Sequence, residues 1–492
     1  MKIKIKQHVS TLTKSDLETC QHLVMVLPQA VRDEKWPTVA WRDVFKSRLS
    51  RDPAESAVLE CDLPNAAHTH VSFGCVKEDI SPFALLSLAR QLVAPQLAQN
   101  PASISLCMPG LPAKLASRVS EALLAALLAA NEAMPSMKSK PAPTSRLKTI
   151  LIYNQKKPLD TRRVEASAAG NNLARYLTSL PPNELTPALY KKRVAGLARQ
   201  HGWKMQFHNM AALRKKKAGA FVAVAQGSPE DDAGIVHLRY EPKKKSTKPA
   251  CALVGKGICF DTGGMNLKPA RYMHGMHEDM EGSAVALGSF LALSELKVDF
   301  PVDCWLALAQ NHIGPKAYKQ NDVVTAGNGT TIEIIHTDAE GRMVLADTLT
   351  FAARKKPRLI IDYATLTGSC VAALGTCYSG AFTNRDGLHQ HIIAAGHESG
   401  ERVWPFPIDE DYDKALESQI ADVKQCTLDG EADHILASRF LQRFVDDVPW
   451  LHVDLSAGNN KGGLAHIPTD ITGFGVRFTL ELLLSRQAQD DL

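Results

Sequence analysis

The sequence predicts an α/β protein of two domains: a smaller amino-terminal α/β domain, residues 1–160, and a larger carboxy-terminal α/β domain, residues 161–492, with a central mixed sheet. Three observations carry this prediction. The chain has 492 residues, longer than a single hydrophobic core usually serves. Its carboxy-terminal part alternates helical stretches with short apolar runs that do not interleave polar residues, the pattern of strands covered on both faces. Within the smaller part, residues 134–146 read MPSMKSKPAPTSR, rich in Pro, Ser and Lys and without apolar periodicity, which suits an exposed loop.

In chain order, Ser103–Cys107 reads as a strand and the Ala/Leu-rich residues 121–133 as a helix. Thr149–Tyr153 is a further strand. Residues 161–180 place Val164, Ala168, Leu173 and Leu177 at helical spacing and end at Pro181 and Pro182, so a long helix leads into the second domain. There the predicted strands are 221–225, 235–240, 250–260, 303–309, Leu359–Ala364 and 451–455, in an α/β layer architecture.

Composition narrows the class. Lys plus Arg number 57 against 52 Asp plus Glu, a net charge of +5, too small an excess to imply nucleic acid by itself. Three basic runs, 214–217, 243–245 with Lys248, and 354–356, read as solvated loop tips because no aromatic residues interleave with them. The ten cysteines are scattered without a CxxC pair, which suits reduced thiols rather than a zinc ribbon or a secreted scaffold. The longest apolar stretch, 122–130, has nine residues where a bilayer span needs roughly 20, and the charged start MKIKIKQHVSTLTKSD lacks a signal-peptide core. A cytoplasmic protein without a membrane partner is expected.

Chemistry concentrates in two segments. The first is VGKGICFDTGG, then NLKP, then EDMEG, which carries Lys256, Asp261, Lys268 and Asp279 among glycines. Glycine-rich turns after an apolar strand expose side chains at the carboxyl edge of a sheet. The second is HTDAEGR, residues 336–342, where Asp338 and Glu340 are two apart and would share a side in extended backbone. Four carboxylates, Asp261, Asp279, Asp338 and Glu340, would repel one another and resist ionisation unless cations joined them. Two divalent metals remove that penalty and suit hydrolysis. Lys256 could add an amine ligand, leaving Lys268 and Arg342 as positive groups for an oxyanion or a bound anion.

The strings VGKGICFDTGG, NLKP, MHEDMEGSA, HTDAEGRMVLADTL and IDYATLTG closely resemble the leucyl (cytosol) aminopeptidase family of dinuclear metallopeptidases, with weaker similarity at 180–186 and 473–477, so that the resemblance covers roughly 160–485. The resemblance implies a metallo-exopeptidase that releases amino-terminal residues, Leu or Met preferred, by attack of a metal-bridging hydroxide. It implies one zinc on Lys256, Asp261, Asp279 and Glu340. A second, exchangeable ion, zinc, manganese, magnesium or cobalt, would sit on Asp261, Asp338 and Glu340. Lys268 would stabilise the gem-diolate, and Arg342 would hold a bicarbonate that shuttles the proton. Met276, Thr365 and Gly368 would line the pocket for the first substrate residue. The family further implies peptide substrates with a free amino terminus, a homohexamer, and a regulatory or oligomerisation role for residues 1–160.

The sequence departs from the family pattern at Glu281, which follows the Asp279-Met280 pair, at His336 before Thr337, and at Gly430–His434, where a glycine-rich run is usual. Rival motifs fail. His274 and His277 lack the HExxH spacing. Gly255 and Gly257 lack the third glycine of a dinucleotide fingerprint and no GK[ST] follows, while a GxSxG elbow is absent. The alternative from another class is a DNA-binding or regulatory protein on the same scaffold, which only the basic runs and the net charge of +5 would support.

Overall fold

The computed structural model describes residues 3–485 apart from 53–55, 142, 156, 245 and 247. Lys245 of the second basic run thus lies outside the described residues. The chain forms two compact units: residues 1–168 with 462–470, and residues 169–461 with 471–492.

The first unit is built on a six-stranded sheet of β1 (Lys4–Gln7), β2 (His22–Pro28), β3 (Leu59–Asp62), β4 (His70–Val76), β5 (Ser103–Cys107) and β6 (Thr149–Tyr153), ordered β1-β6-β5-β2-β4-β3. All neighbours run parallel except β3 against β4. The helices Pro82–Ala98 and Ala113–Ala130 bury their Leu, Val and Ala side chains in a core with Val24, Ile104 and Ile150. Ser81 caps the first of them by accepting the Ala84 N–H. Residues 462–470 join this unit through Arg90, whose Nη1 donates to the carbonyls of Gly462 and Ile467, both at 2.8 Å.

The second unit holds β7 (Lys204–Asn209), β8 (Gly234–Tyr240), β9 (Cys251–Asp261), β10 (Val302–Asn311), β11 (Val323–Thr325), β12 (Thr331–Glu333), β13 (Leu359–Ala364), β14 (Ser379–Thr383), β15 (Val403–Pro405), β16 (Val423–Lys424) and β17 (Trp450–Asp454). Eight of these form one mixed sheet, β15-β14-β17-β13-β9-β10-β8-β7, and β11-β12-β16 form a small second one. The centre, β17-β13-β9-β10, is parallel. Its strands are buried on both faces, which explains their unbroken apolar runs. The helices Glu281–Glu295 and Glu340–Ala353 are buried over nearly their whole length.

One predicted strand is a helix. Residues 221–225 belong to Gly219–Ala225, which is helical and buried. A short apolar run has no period that separates a buried strand from a buried helix turn. Here Asp347, on the helix Glu340–Ala353, decides the outcome: its Oδ2 accepts the Phe221 N–H at 2.8 Å, satisfying a donor at the new helix's start.

Candidate metal centre

The central strand β9 delivers Lys256 from its middle and Asp261 from its carboxyl end. Beyond Asp261 the chain turns sharply through Gly263 and returns along Asn266 to Lys268. Side-chain amides tie this turn to the segment before the helix Glu340–Ala353. Asn311, last residue of β10, donates from Nδ2 to Asp261 Oδ1 (2.8 Å) and to the Thr337 carbonyl (3.0 Å). Thr337 Oγ1 donates to the Gly263 carbonyl at 2.6 Å, and the Thr337 N–H donates to Asn266 Oδ1 at 2.8 Å. Asp261 and Asp338, 77 positions apart in numbering, are thereby brought together. Asp338 precedes the helix, and Glu340 is its first residue.

One oxygen each from Asp261, Asp338 and Glu340 lies within 4.8 Å of the others, a spacing that could hold a metal ion, and no histidine belongs to the group. Lys256 Nζ links this trio to Asp279, contacting Asp279 Oδ1 at 2.7 Å, Glu340 Oε1 at 3.0 Å and the Thr365 carbonyl at 2.9 Å. Thr365 Oγ1 donates to the same Asp279 oxygen at 2.7 Å. Gly341 permits this approach: a Cβ there would lie 2.7 Å from Lys256 Cε. Lys268 Nζ spans the other side, 2.6 Å from Asp338 Oδ1 and 3.1 Å from Asp261 Oδ2.

The electrostatics report crowding. Burial pushes Glu340 up to about 8, with Asp261 and Asp279 adding to it and the lysines opposing. Burial, then Glu340 and Asp261, push Asp338 up to about 7. Burial raises Asp279 to about 6 against the pull of Lys256. Burial works against the charge on Lys256, but Asp279, Glu340 and Asp261 outweigh it and hold its pKa above the usual lysine range. Even so, Asp279 Oδ2 and Glu340 Oε2 are buried without a hydrogen-bond partner. Orphaned carboxylate oxygens beside a tight oxygen trio fit divalent cations, which supply the missing charge and accept several oxygen donors. The donor set fits the expected metals.

The ligands open on a cavity of about 820 Å³ that Met276, Thr365 and Gly368 also line, together with Glu278, Glu281 and Asn459. A neighbouring cavity of about 600 Å³ is lined by Lys268, Tyr272, Met276, His336 and Asp338. Burial lowers the pKa of His336, and its Nδ1 lies 3.3 Å from the Asp338 N–H. Burial, with Glu278 adding to it, pushes the Glu281 carboxyl up to about 8. Arg342 points elsewhere than to an open anion seat: Nη2 pairs with Asp433 Oδ1 at 2.7 Å and Nη1 donates to the Gln425 carbonyl at 3.0 Å. Sequence reasoning did not single out Asn311, Gln425 or Asp454 as site residues. Asp454, at the end of β17, accepts the Leu366 N–H at 3.1 Å and the Thr367 hydroxyl at 2.6 Å, fixing the loop that presents Thr365.

Residues 172–480 match the model of the cytosol aminopeptidase family catalytic domain. The chain belongs to the cytosol aminopeptidase family. A probable cytosol aminopeptidase of Polaromonas naphthalenivorans (strain CJ2) is 40% identical over 389 residues, 77% of this chain and 74% of the relative. One of Rhodopseudomonas palustris (strain BisB18) is 42% identical over 311 residues, and the match spans only 61% of that relative's length and 62% of this chain. A mutant of tomato leucine aminopeptidase superposes with a TM-score of 0.85 at 26% identity, covering 98% of this chain and 96% of that one. The bottromycin maturation enzyme BotP in complex with Mn gives 0.80 at 30% identity, over 94% and 99%. This cytosol aminopeptidase family member thus shares the fold of both.

The DNA-binding alternative finds no support in these likenesses. Two of the basic runs do converge, since Lys216 and Arg354 both lie over the Phe351 ring. The residues of these runs are exposed, as a solvated face requires. Among the described residues no helix is long and apolar enough to cross a membrane.

Proposed function

We propose that this family member is a metal-dependent aminopeptidase that releases amino-terminal residues from peptides. The observation that carries the reading is the trio Asp261, Asp338 and Glu340, joined through Lys256 to Asp279 at the floor of a cavity large enough for a peptide end. Lys256, as a neutral amine once an arriving cation displaces its proton, would hold one ion with Asp261, Asp279 and Glu340, and Asp261, Asp338 and Glu340 would hold the second. Zinc is proposed at the first site, and zinc, manganese, magnesium or cobalt at the second. When bound, such ions polarise a carbonyl and make water a stronger acid.

The chain's own groups supply the rest. Lys268, poised between Asp261 and Asp338, places a fixed positive charge where the scissile carbonyl oxygen gains negative charge. A peptide's free α-amine is the group an internal segment cannot offer to the ions, which restricts cleavage to the first bond. Met276, Thr365 and Gly368 border the space for the first side chain. The proton leaving water needs an acceptor beside Arg342, either a bicarbonate held by the guanidinium or the Asp433 carboxylate that already pairs with it. By family likeness, we further propose a cytoplasmic homohexamer in which residues 1–160 serve regulation or assembly.

The test is release of p-nitroaniline from leucyl-p-nitroanilide by the full chain with Zn or Mn added and then chelated. Turnover that follows the metal is expected. No turnover with either metal, together with salt-dependent duplex binding, would overturn the reading.

A further inference from the structure

Glu281 is a carboxylate that the proposed chemistry leaves unused. It is 2% exposed, begins the helix Glu281–Glu295 and lines the main cavity. Its Oε1 has no hydrogen-bond partner, and a second acid, Glu278, lines the same cavity. Glu278 in turn is held by Asn459, whose Nδ2 donates to its Oε2 at 2.8 Å.

Space for the Glu281 carboxylate depends on Gly458. A Cβ at that position would lie 2.3 Å from Glu281 Oε2 and 2.8 Å from Cδ. The glycine therefore leaves the carboxylate seated against the 457–459 wall instead of being expelled. A buried acid without a partner is costly. A cation arriving in the cavity would compensate it.

We propose that Glu281 is a specificity-determining residue, forming with Glu278 a subsite for the cationic side chain of an amino-terminal lysine or arginine. The inference rests on the aminopeptidase reading and names a substrate class for the same cavity. Met276, Leu366, Val371 and Leu455 line that cavity and offer apolar surface to the methylene stem, while the charged head reaches the carboxylates. The same wall accepts leucine and methionine, so the acidic end adds basic residues to the apolar ones.

Lysyl- and norleucyl-p-nitroanilide share a hydrocarbon stem and differ in the terminal charge, so the ratio of their kcat/KM values isolates the subsite. E281Q is expected to lower the Lys-to-norleucine ratio by about tenfold or more, the usual worth of a charge-assisted hydrogen bond. E281D should restore part of it. G458A, which crowds the carboxylate through its added methyl, should move the ratio in the same direction as E281Q and serves if E281Q does not fold. A ratio unmoved by both E281Q and G458A overturns the proposal. So does a wild-type enzyme that turns over the norleucyl but not the lysyl substrate, with the aminopeptidase reading intact. Absence of turnover on both substrates with metal present overturns that reading, and this inference with it.

Discussion

Asp433 Oδ1 lies 2.7 Å from Arg342 Nη2, so the guanidinium that the family resemblance assigns to bicarbonate carries a carboxylate of its own chain. The Arg342 side chain is 2% exposed and that of Asp433 23%. Asp433 comes from the segment 430–434, where the sequence departs from the glycine-rich family pattern, and Arg342 from the helix Glu340–Ala353. Removing Asp433 leaves a buried guanidinium short of a partner, at a cost of about 2 kcal/mol. D433A should therefore melt lower than wild type and regain stability and turnover with added bicarbonate or formate, while wild type responds weakly. The check is a titration of both anions against melting temperature and kcat. Equal responses in the two proteins would show that Asp433 does not occupy the anion seat.

Lys268 and Asp279 are expected to fail differently. Lys268 is half-buried and contacts Asp261 and Asp338, whereas Asp279 is buried beside Lys256 with an orphaned oxygen. K268A should keep its bound divalent ions and lose turnover by about 10²–10³, the scale of removing one oxyanion stabiliser. D279A should lose metal. Metal content by mass spectrometry, measured with turnover on one preparation, separates the two. The same metal loss in both variants would show that the roles are misassigned.

Gly341 links backbone to metal ligand. Its missing side chain is where Lys256 Cε and Nζ pass, at 2.7 and 2.8 Å from the position of a Cβ. Lys256 cannot simply swing away, because Asp279, Glu340 and the Thr365 carbonyl hold its end. G341A is expected to cost about 1–3 kcal/mol as overpacking and to lower metal affinity by displacing the amine. Calorimetric melting and a metal-binding isotherm check this, and a variant with wild-type values for both would refute it.

The candidate site residues were legible because the chemistry is local in sequence. Lys256, Asp261 and Lys268 sit in one glycine-rich run, and Asp338 and Glu340 in another. The central strands were legible because burial on both faces leaves unbroken apolar runs such as Leu359–Ala364. What escaped depends on distant partners. Asn311 matters only because β10 ends where Asp261 and Thr337 meet. Asp454 matters because β17 lies beside β13 and so reaches the Thr365 loop. Residues 221–225 became a helix through Asp347, more than a hundred positions along. The return of 462–470 to the first unit is met by Arg90 and by the core that receives Ala465. None of these pairings leaves a periodicity or a spacing that a single sequence displays.

Away from the metal centre, Glu401 makes stability depend on pH. Its Oε2 accepts the N–H groups of Gly475 (2.9 Å) and Phe478 (2.8 Å) at the start of the helix Val476–Leu484. Burial nonetheless pushes its carboxyl up to about 7, against the pull of those donors. An unfolded glutamate titrates near ~4.3. Between these two values the folded chain keeps a proton that the unfolded chain has released, so stability falls as pH rises. The contribution is complete below the unfolded value and is lost by the time pH passes about 7. E401Q carries no titrating proton there, and the other raised carboxyls are common to both proteins and cancel in the comparison. The melting temperature of wild type relative to E401Q should therefore decline across that window in chelator-treated protein. A difference that stays flat or climbs with pH would mean that Glu401 is ionised throughout and that the two backbone donors outweigh its burial.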